Sequence, residues 1–317
     1  MFARLAFAVQ RASNRGFLPM ARAAGRALLA SIYRKMGRQF VQRRVNDYQM
    51  LLDMNDPGIS RALMMFRTRE IDHKVMLERV VRRGMRIFDI GGNIGYYPLM
   101  ELGLLRGTGQ LVVIEPLPQN FALLKRNLAL NNYADVPMHQ AALSDEATAK
   151  TFHLSTQSNL GTFHPSATGD ETPTGTTLEV ETLTLSLLAQ RYGAPDLMRM
   201  DIEGHEVEVI GSMLDDIAKG AYAPIIIFET HPDRYGPNHD MAATLKRLFA
   251  LGYGAPLVSS SDDASTARLA AMGYTPGQRI STDAVYRTLF ENIKAEDAIE
   301  LICHSSCIRT AMLAKNP

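Results

Sequence analysis

Strand-like and helix-like segments alternate along most of the sequence, from about residue 86 to residue 258. Short apolar runs at residues 86–90, 110–114 and 224–228 indicate buried strands, and longer stretches with helical spacing of apolar residues lie between them. Alternating β and α units with short connections form a mostly parallel sheet that is covered by helices on both faces. Because ligands of such sheets bind at the carboxyl ends of the strands, we expect the functional residues there.

The first part of the chain is strongly basic. Residues 1–46 hold ten Lys and Arg and no Asp or Glu, which leaves 24 basic and 33 acidic residues in the rest of the chain. Apolar residues interleave with these arginines at spacings that predict one or two amphipathic helices. Such helices could lie on an anionic membrane surface or simply pack against the body of the protein, and an arginine-rich start also resembles a transit peptide.

Several classes of protein do not fit the composition. No apolar run approaches the ~20 residues that a membrane-spanning helix needs. Cys303 and Cys307 fall short of a disulfide framework or a four-ligand zinc site, so we interpret them as structural thiols in a reducing cytoplasm. The body lacks a platform of aromatic and basic residues, so no nucleic-acid partner is expected. We predict a cytoplasmic protein, either free or peripheral on the cytoplasmic membrane face, whose apolar head helix could also mediate homo-oligomer formation.

The turn after the first predicted strand carries the most specific motif, Asp89-Ile-Gly91-Gly92-Asn93-Ile-Gly95, directly before a helix. Glycines let the backbone turn sharply and approach a ligand, while the helix start presents free N–H groups. A dinucleotide fingerprint would need G-x-G-x-x-G, whereas this turn has an acid two residues before its first glycine and an asparagine in place of a middle glycine. A buried acid suits a ligand ammonium and would repel a pyrophosphate, which points to S-adenosylmethionine.

Glu115 follows the second predicted strand, about twenty residues beyond the glycines. A carboxylate at this position can accept hydrogen bonds from both hydroxyls of a ribose. A nicotinamide-dependent oxidoreductase on a similar sheet would also account for Glu115, but not for the turn from Asp89 to Gly95. The combination therefore favours a methyl donor over a dinucleotide.

The sequence resembles the FkbM family of class I methyltransferases over roughly residues 85–258. An ordered set of motifs carries the resemblance: Phe88-Asp-Ile-Gly-Gly-Asn-Ile-Gly-Tyr-Tyr97, Ile114-Glu-Pro116, Leu124 to Asn131, Ala141-Ala-Leu-Ser-Asp145, Met200-Asp-Ile-Glu-Gly204 with Glu206, and Phe228-Glu229. The resemblance implies an α/β, Rossmann-like fold with a doubly wound, seven-stranded, mostly parallel sheet. We expect this domain at residues 71–317, after a basic helical extension at residues 1–70, with a helical insertion or lid at about residues 260–301 before the last strand.

The resemblance also implies S-adenosylmethionine as the donor and suggests which residues would hold it. The methionine part would lie against residues of the glycine turn and the start of the next helix, namely Asp89, Gly91, Asn93, Gly95 and Tyr96. Glu115 would hold the ribose, and the adenine would be bordered by Ala142, Ser144 and Asp145. Asp145 could instead be an ordinary turn or helix-capping residue.

Candidate catalytic residues follow the fourth and fifth predicted strands. Asp201 and Glu203 come after the fourth strand, where this fold delivers its methyl group, and His231 follows the apolar fifth strand. A hydroxyl nucleophile benefits from a base that takes its proton as the C–O bond forms. We rank His231 first as general base and Asp201 second, and we expect Glu206 to cap the next helix.

Two alternatives stay open at this end of the sheet. Asp201, Glu203, Glu229 and His231 could together hold Mg²⁺ or Mn²⁺, because carboxylates with one imidazole suit these ions, although a metal-free site is favoured. The polar loop at residues 155–173, which includes Asn159, Gly161, Thr162 and His164, could bind sugar hydroxyls or be plain surface.

The sequence thus predicts an S-adenosylmethionine-dependent O-methyltransferase that acts on a hydroxyl of a carbohydrate, glycolipid or natural-product acceptor. The alternatives are a nicotinamide-dependent oxidoreductase and a non-catalytic, membrane-associated binding protein that has kept the fold.

Overall fold

The computed structural model describes residues 25–26, 29–165, 173–283 and 285–315. The parts of the predicted amphipathic helices that fall in residues 1–24 and 27–28 lie outside the described residues. Residues 29–35 are helical, as the spacing of their apolar residues predicts.

Residues 40–53 form a β-hairpin, which corrects the prediction of a wholly helical extension. Strand β1 (Phe40–Val45) pairs antiparallel with strand β2 (Tyr48–Asp53). Val41 and Val45 are buried while the residues between them are more exposed, and this period of two is that of a strand with one buried face. Interleaved arginines mask that period in the sequence.

The remaining strands are, in chain order, β3 (Arg86–Ile90), β4 (Gln110–Ile114), β5 (Met138–His139), β6 (Ala142–Leu143), β7 (Ala149–Ser155), β8 (Pro173–Leu183), β9 (Leu197–Met200), β10 (Ile225–Glu229), β11 (Tyr253–Ser260), β12 (Arg279–Thr282), β13 (Val285–Ile293) and β14 (Ile308–Lys315). Nine of them form the central sheet in the spatial order β12, β13, β11, β14, β10, β9, β3, β4, β5. The five strands from β10 to β5 run parallel, and β14 is antiparallel to both of its neighbours. The sheet is therefore mixed.

The α-helices are α1 (Ile59–Phe66), α2 (Ile71–Val80), α3 (Tyr96–Leu105), α4 (Pro118–Ala129), α5 (Leu185–Tyr192), α6 (Glu206–Ala218), α7 (Met241–Ala250), α8 (Asp263–Ala271) and α9 (Ala295–Ile299), the last continuing as a π-helical turn over residues 300–304. Predicted strands at residues 86–90 and 110–114 agree residue for residue with β3 and β4. No helix in the described part of the chain is long and apolar enough to span a bilayer.

The prediction of seven strands is corrected to nine, because residues 279–293 form the hairpin β12–β13 and not a purely helical insertion. Helices α8 and α9 flank this hairpin. Its second strand is rich in β-branched and aromatic residues, such as Val285, Tyr286 and Phe290, which favour a strand over a helix. The hairpin extends the sheet beyond β11.

Both faces of the sheet are buried by helices. Met213 of α6 and Leu245 of α7 belong to the apolar core on one face, and Leu99 of α3 and Leu124 of α4 belong to the core on the other. Burying such a side chain contributes roughly 1.5–3 kcal/mol to the free energy of unfolding, so the strand ends are held on a rigid frame.

The β1–β2 hairpin docks on α4 through backbone groups. The amide of Leu51 donates to Oδ1 of Asn127 at 2.6 Å, and Nδ2 of Asn131 donates to the carbonyl of Gln49 at 2.7 Å. These bonds pair part of the hairpin's open edge with side chains of the α/β core.

Candidate active site

A cleft of about 580 Å³ opens at the carboxyl ends of β3, β4 and β9, where sheets of this class bind ligands. We refer to it as the main cleft. Among the predicted site residues, those that line it are Gly91, Asn93, Glu115, Ala142, Asp201 and Glu203. The structure therefore brings together residues from four separate segments of the chain.

The glycine turn after β3 forms the floor of the main cleft. Gly91 has a φ of +83°, and a Cβ there would lie 2.3 Å from the carbonyl oxygen of Asp201. Any side chain at this position would therefore separate the turns that follow β3 and β9. Gly95, also with positive φ, faces Leu124 and Leu128 of α4, so it serves the packing of the turn.

Asn93 and Glu115 join the turn to the end of β4. The amide of Asn93 donates to Oε2 of Glu115 at 2.8 Å, and the amide of Leu117 donates to Oε1 at 3.0 Å. Burial raises the pKa of Glu115 to about 7, although both amide bonds oppose that rise. The carboxylate is thus held in place at the wall where a ribose is expected.

The predicted adenine end is only partly at the cleft. Ala142 lines it, but Ser144 is fully buried and hydrogen-bonds Asp145 at 2.7 Å, while Asp145 is half-exposed and pairs with Lys150 at 2.6 Å. Burial would raise the pKa of Asp145, but Lys150 and Ser144 hold it below its usual value. These contacts favour the turn-residue alternative for Asp145.

Aromatic side chains that the sequence analysis did not single out close this end of the cleft. Phe152 and Phe163 both line it, with ring centroids 4.9 Å apart in an edge-to-face arrangement. Phe163 comes from the polar loop after β7, and Asn159 and Gly161 of that loop line the cleft as well. The mixture of Gly, Ser, Thr and Pro in the loop hides these contacts from pattern analysis.

Asp89 is placed differently from the expectation that it contacts the ligand. Its side chain is completely buried beneath the glycine turn, 3.7 Å from Nη1 of Arg199. Burial raises its pKa, which Arg199 opposes, and burial together with Asp89 raises the pKa of the neighbouring Glu101 well above its usual value. Asp89 therefore contributes to the buried charge pairing under the glycine turn and does not line the cleft.

Four carboxylates surround His231. Its Nδ1 lies 3.1 Å from Oε1 of Glu206, and its Nε2 lies 3.5 Å from Glu203, 3.7 Å from Glu229 and 3.8 Å from Asp201. We call these five residues the His231 cluster. Burial would lower the pKa of His231, but the carboxylates outweigh it and raise the pKa to about 10. The ring is therefore an imidazolium at neutral pH and has no lone pair for a substrate proton, which disfavours its predicted role as general base.

Arginines pair with three of these carboxylates. Arg199 lies 3.1 Å from Asp201, Arg234 lies 3.5 Å from Glu203, and Arg309 contacts Glu229. The sequence analysis missed all three arginines. The sequence did contain a sign of Arg199, because it is the one charged residue in the otherwise apolar strand β9. In the structure its side chain is 1% exposed, and an arginine this buried needs a partner.

The same residues offer ligand atoms for a cation. Oxygens of Asp201 and Glu203 and a nitrogen of His231 all lie within 4.8 Å of one another. A divalent ion there would have to displace the imidazolium proton and compete with the arginines that already pair with the carboxylates. This competition agrees with the preference for a metal-free site.

A second cavity, of about 540 Å³, continues from the main cleft past Asp201 and Glu203, which line both. We call it the charged chamber. Its other charged walls are Arg69, Glu70, Arg199, Glu229 and Arg309, and Tyr96 and Tyr97 also line it.

Glu70 is the most constrained residue of the charged chamber. The hydroxyl of Tyr97 donates to its Oε2 at 2.5 Å, and Arg69 donates to its other oxygen at 2.9 Å. Burial would raise the pKa of Glu70, but Arg69 and Arg309 hold it well below its usual range. Tyr96 is fixed nearby by donating to the carbonyl of Arg69 at 2.8 Å. The segment before residue 71 thus forms part of the chamber wall.

The chain was compared with protein families, curated proteins and solved structures. The family model described as Methyltransferase FkbM domain matches residues 89–254. No curated protein matches the sequence. Among solved structures, the methyltransferase FkbM from Methylobacillus flagellatus is 16% identical over 73% of this chain with a TM-score of 0.36, and this chain spans only 52% of its length.

Two further solved structures are comparably distant. Precorrin-6y C5,15-methyltransferase from Geobacter metallireducens is 10% identical, covers 77% of this chain and 87% of its own, and has a TM-score of 0.38. A methyltransferase from Pyrococcus furiosus is 12% identical, covers 72% and 85%, and has a TM-score of 0.35. At these values the assignment rests on the family match. Since that match spans more than half of the 317 residues and includes the glycine turn, Glu115 and the His231 cluster, the chain belongs to the FkbM family of methyltransferases, which implies S-adenosylmethionine as its methyl donor.

Proposed function

We propose that the protein is an O-methyltransferase that transfers the methyl group of S-adenosylmethionine to a hydroxyl of a carbohydrate, glycolipid or natural product. The observation that carries this proposal is the place of Asp201, whose carboxylate lies where the main cleft meets the charged chamber. In this arrangement the main cleft takes the donor and the charged chamber takes the acceptor. Methyl transfer then occurs at the junction.

The residues of the main cleft fit the donor. Gly91 leaves the space that a Cβ would fill, and Glu115 presents a carboxylate fixed by two backbone amides. When bound, S-adenosylmethionine supplies an electrophilic methyl group on a sulfonium. The protein's part is to hold the donor so that this methyl faces the charged chamber, since alignment of the reacting atoms is itself a large share of catalysis.

Asp201 is the best-placed general base in this proposal. One of its oxygens pairs with Arg199 at 3.1 Å, and its side chain is 24% exposed at the junction. His231, held as an imidazolium, offsets part of the negative charge of the surrounding carboxylates, which include Asp201 and Glu203. The acceptor proton would pass to Asp201 as the C–O bond forms, and Glu203 would orient the hydroxyl.

The polarity of the charged chamber favours a hydroxyl-rich acceptor. Arg69, Glu70, Glu229 and Arg309 present paired donors and acceptors rather than an apolar wall. Paired groups of this kind can exchange hydrogen bonds with several hydroxyls while leaving no buried charge unpaired.

Labelled donor tests the proposal. The full chain is incubated with methyl-labelled S-adenosylmethionine and fractionated polar lipids, free sugars and small glycosides, and the product is treated with mild alkali. An O-methyl ether keeps its label under these conditions, whereas a methyl ester releases it. Transfer into an alkali-stable product of the wild type, absent in Asp201→Asn, is expected. Tight binding of S-adenosylhomocysteine with no transfer to any fraction would favour the non-catalytic binding protein instead.

We also propose that the basic head brings the enzyme to an anionic membrane surface, where a glycolipid acceptor would be found. Leu29, Ile32 and Met36 are 45%, 43% and 63% exposed, next to Arg34 and Lys35, as on an amphipathic helix at a lipid interface. Co-sedimentation with vesicles of phosphatidylglycerol should be weakened by salt and lost on deleting residues 1–38, which leaves the β1–β2 hairpin in place. Equal sedimentation of both chains would remove this part of the proposal.

A further inference from the structure

Three histidines converge on one glutamate on the far side of the turn that follows β9. Glu208 lies in the first turn of α6, and His205 directly precedes that helix. His164 comes from the loop after β7, and His239 lies just before α7. We call these four residues the three-histidine cluster. Neither the family match nor the proposed methyl transfer assigns it a role.

The nitrogen and oxygen atoms at its centre are closely spaced. Oε1 of Glu208 lies 2.9 Å from Nδ1 of His239 and 3.4 Å from Nε2 of His164, and Oε2 lies 3.3 Å from Nδ1 of His205. Nε2 of His164 lies 3.0 Å from Nδ1 of His205. Atoms of His164, Glu208 and His239 are all within 4.8 Å of one another.

Hydrogen bonds made by Nε2 of His239 and of His205 determine which ring nitrogen of each carries the proton. Nε2 of His239 lies 2.7 Å from the carbonyl of Gly204 and must donate to it. Nε2 of His205 lies 2.9 Å from the hydroxyl of Ser144, whose own proton goes to Asp145, so this nitrogen must also donate. In their neutral forms, both rings therefore turn an unprotonated Nδ1 toward Glu208. Metal-binding histidines are typically oriented by such outer hydrogen bonds.

The spacing of three of these side chains fits one small ion. Ligands at about 2.0–2.1 Å from a tetrahedral zinc are separated from each other by about 3.3–3.4 Å. Oε1 of Glu208 lies 2.9 Å from His239 and 3.4 Å from His164, close to that edge length, whereas His205 faces the other oxygen of Glu208. Oε2 of Glu208 is buried and has no hydrogen-bond partner among the described residues. A buried carboxylate oxygen without such a partner is rare, and a bound cation would account for it.

We propose that His164, Glu208 and His239 bind one divalent transition-metal ion of the zinc class, with His205 beside them. Two imidazoles and a carboxylate suit zinc, whereas Mg²⁺ and Ca²⁺ prefer oxygen ligands. A water molecule would complete the tetrahedral coordination.

The ion would connect the loop after β7 to the start of α6. His205 lines the main cleft, and the ring of Phe163, beside His164 in the sequence, lies 4.5 Å from the ring of His205. Fixing His164 therefore also fixes Phe163 at the aromatic end of the cleft. The ion acts on the cleft only through the position of this loop.

Metal titration tests the proposal without reference to methyl transfer. The untagged full chain is treated with chelator, dialysed and titrated with ZnCl₂ alone by calorimetry. We expect one zinc per chain with a Kd of about 1 μM or tighter, and a tetrahedral visible absorption spectrum when CoCl₂ replaces zinc. MgCl₂ should give no heat from this site. No uptake of zinc by the wild type would overturn the proposal.

Variants locate the ion. His239→Gln should weaken zinc binding more than about 100-fold, because loss of an outer hydrogen-bond partner of a ligand alone typically costs about 10- to 100-fold. His304→Gln, at an exposed histidine outside the cluster, and Asp201→Asn, in the other candidate cation site, should bind zinc as the wild type does. Zinc binding that survives in His239→Gln but is lost in Asp201→Asn would overturn the assignment. If His239→Gln folds poorly, the Tm of chelator-treated wild type is measured before and after zinc is added. Recovery of Tm with zinc, of the same size in His304→Gln, would support the proposed site, and no recovery would contradict it.

Discussion

The main cleft and the charged chamber share Asp201 and Glu203, but they are built from different materials. The main cleft consists largely of strand ends, the backbone of the glycine turn and a carboxylate fixed by backbone amides. The charged chamber borders the same glycine turn at Gly91 and Asn93, but its charged walls come from segments as distant as Arg69 and Arg309. The shape of the main cleft is therefore determined mainly by local backbone conformation, whereas the charged walls of the chamber depend on ion pairs between distant parts of the sequence.

Gly91→Ala should have the largest effect on this comparison. A Cβ 2.3 Å from the carbonyl of Asp201, at a φ of +83°, forces the two turns apart. We expect the increase in Tm caused by S-adenosylhomocysteine to disappear and methyl transfer to fall more than ~100-fold. The matched control is Gly84→Ala, because Gly84 has a φ of +87° and nothing within 4 Å of its Cβ position. If Gly91→Ala bound S-adenosylhomocysteine as the wild type does, the close approach of the two turns would not be needed for the donor site.

Asp201→Asn tests the junction of the two cavities. Loss of a general base typically reduces turnover by ~10²-fold or more, while an amide of the same shape leaves the donor's contacts intact. We expect kcat to fall by that amount and the Kd of S-adenosylhomocysteine to change less than about threefold. His231→Gln should reduce kcat less. The reverse order of the two variants would restore His231 as the base.

The pH dependence of stability tests the His231 cluster. Folding raises the pKa of His231 from about 6.5 to about 10, so its contribution is complete below pH 6.5 and is lost as the pH rises through 10. Between those limits the folding equilibrium constant should fall about tenfold per pH unit from this group. Urea unfolding of wild type and His231→Gln measures it, and equal slopes in the two chains would show that the cluster does not hold a proton.

Glu115→Gln should have a moderate effect that depends on pH. With a pKa of about 7, roughly a tenth of the free carboxyls are ionised at pH 6, and only the ionised form accepts both ribose hydroxyls. Wild type should bind S-adenosylhomocysteine up to about tenfold more weakly at pH 6 than at pH 8. Calorimetry on Glu115→Gln should show weak binding at both values, and a persistent pH dependence would assign the titration to another group.

Asp145→Asn should have the smallest effect. The carboxylate pairs with Lys150 at a half-exposed position, and such pairs contribute about 0–1 kcal/mol. We expect the Kd of S-adenosylhomocysteine to change less than about threefold. A tenfold loss of affinity would indicate that Asp145 does contact the adenine, and that the donor site extends beyond the residues that line the main cleft.

The same contrast explains what could be predicted from the sequence. Gly91, Asn93 and Glu115 follow apolar strands whose ends meet at one edge of the sheet, so local patterns were enough to bring them together. Glu70 reaches its place through a left-handed backbone and a bond to Tyr97, which no local pattern reveals. His231 follows an apolar strand and lies beside Asp201, but its protonation depends on four carboxylates whose distances only the folded chain determines.

The errors in the predicted fold have a similar cause. Strands β3 and β4 are buried on both sides and read as continuous apolar runs. In β1 and β13, charged residues such as Arg43, Arg287 and Glu291 interrupt the apolar residues, so neither strand shows a continuous apolar run. Tertiary contacts, such as those of β2 with α4, decide between strand and helix.

The wall of the charged chamber has a consequence for how such enzymes diversify. Ile59, Arg69, Glu70 and Arg309 line that chamber, yet all four lie outside the stretch that matches the family. Under the proposed division of labour, evolution or an engineer could exchange residues 59–70 and retune the acceptor without touching the residues that hold the methyl donor. A chimera that borrows this segment from a relative should keep its donor affinity and inherit the relative's choice of acceptor.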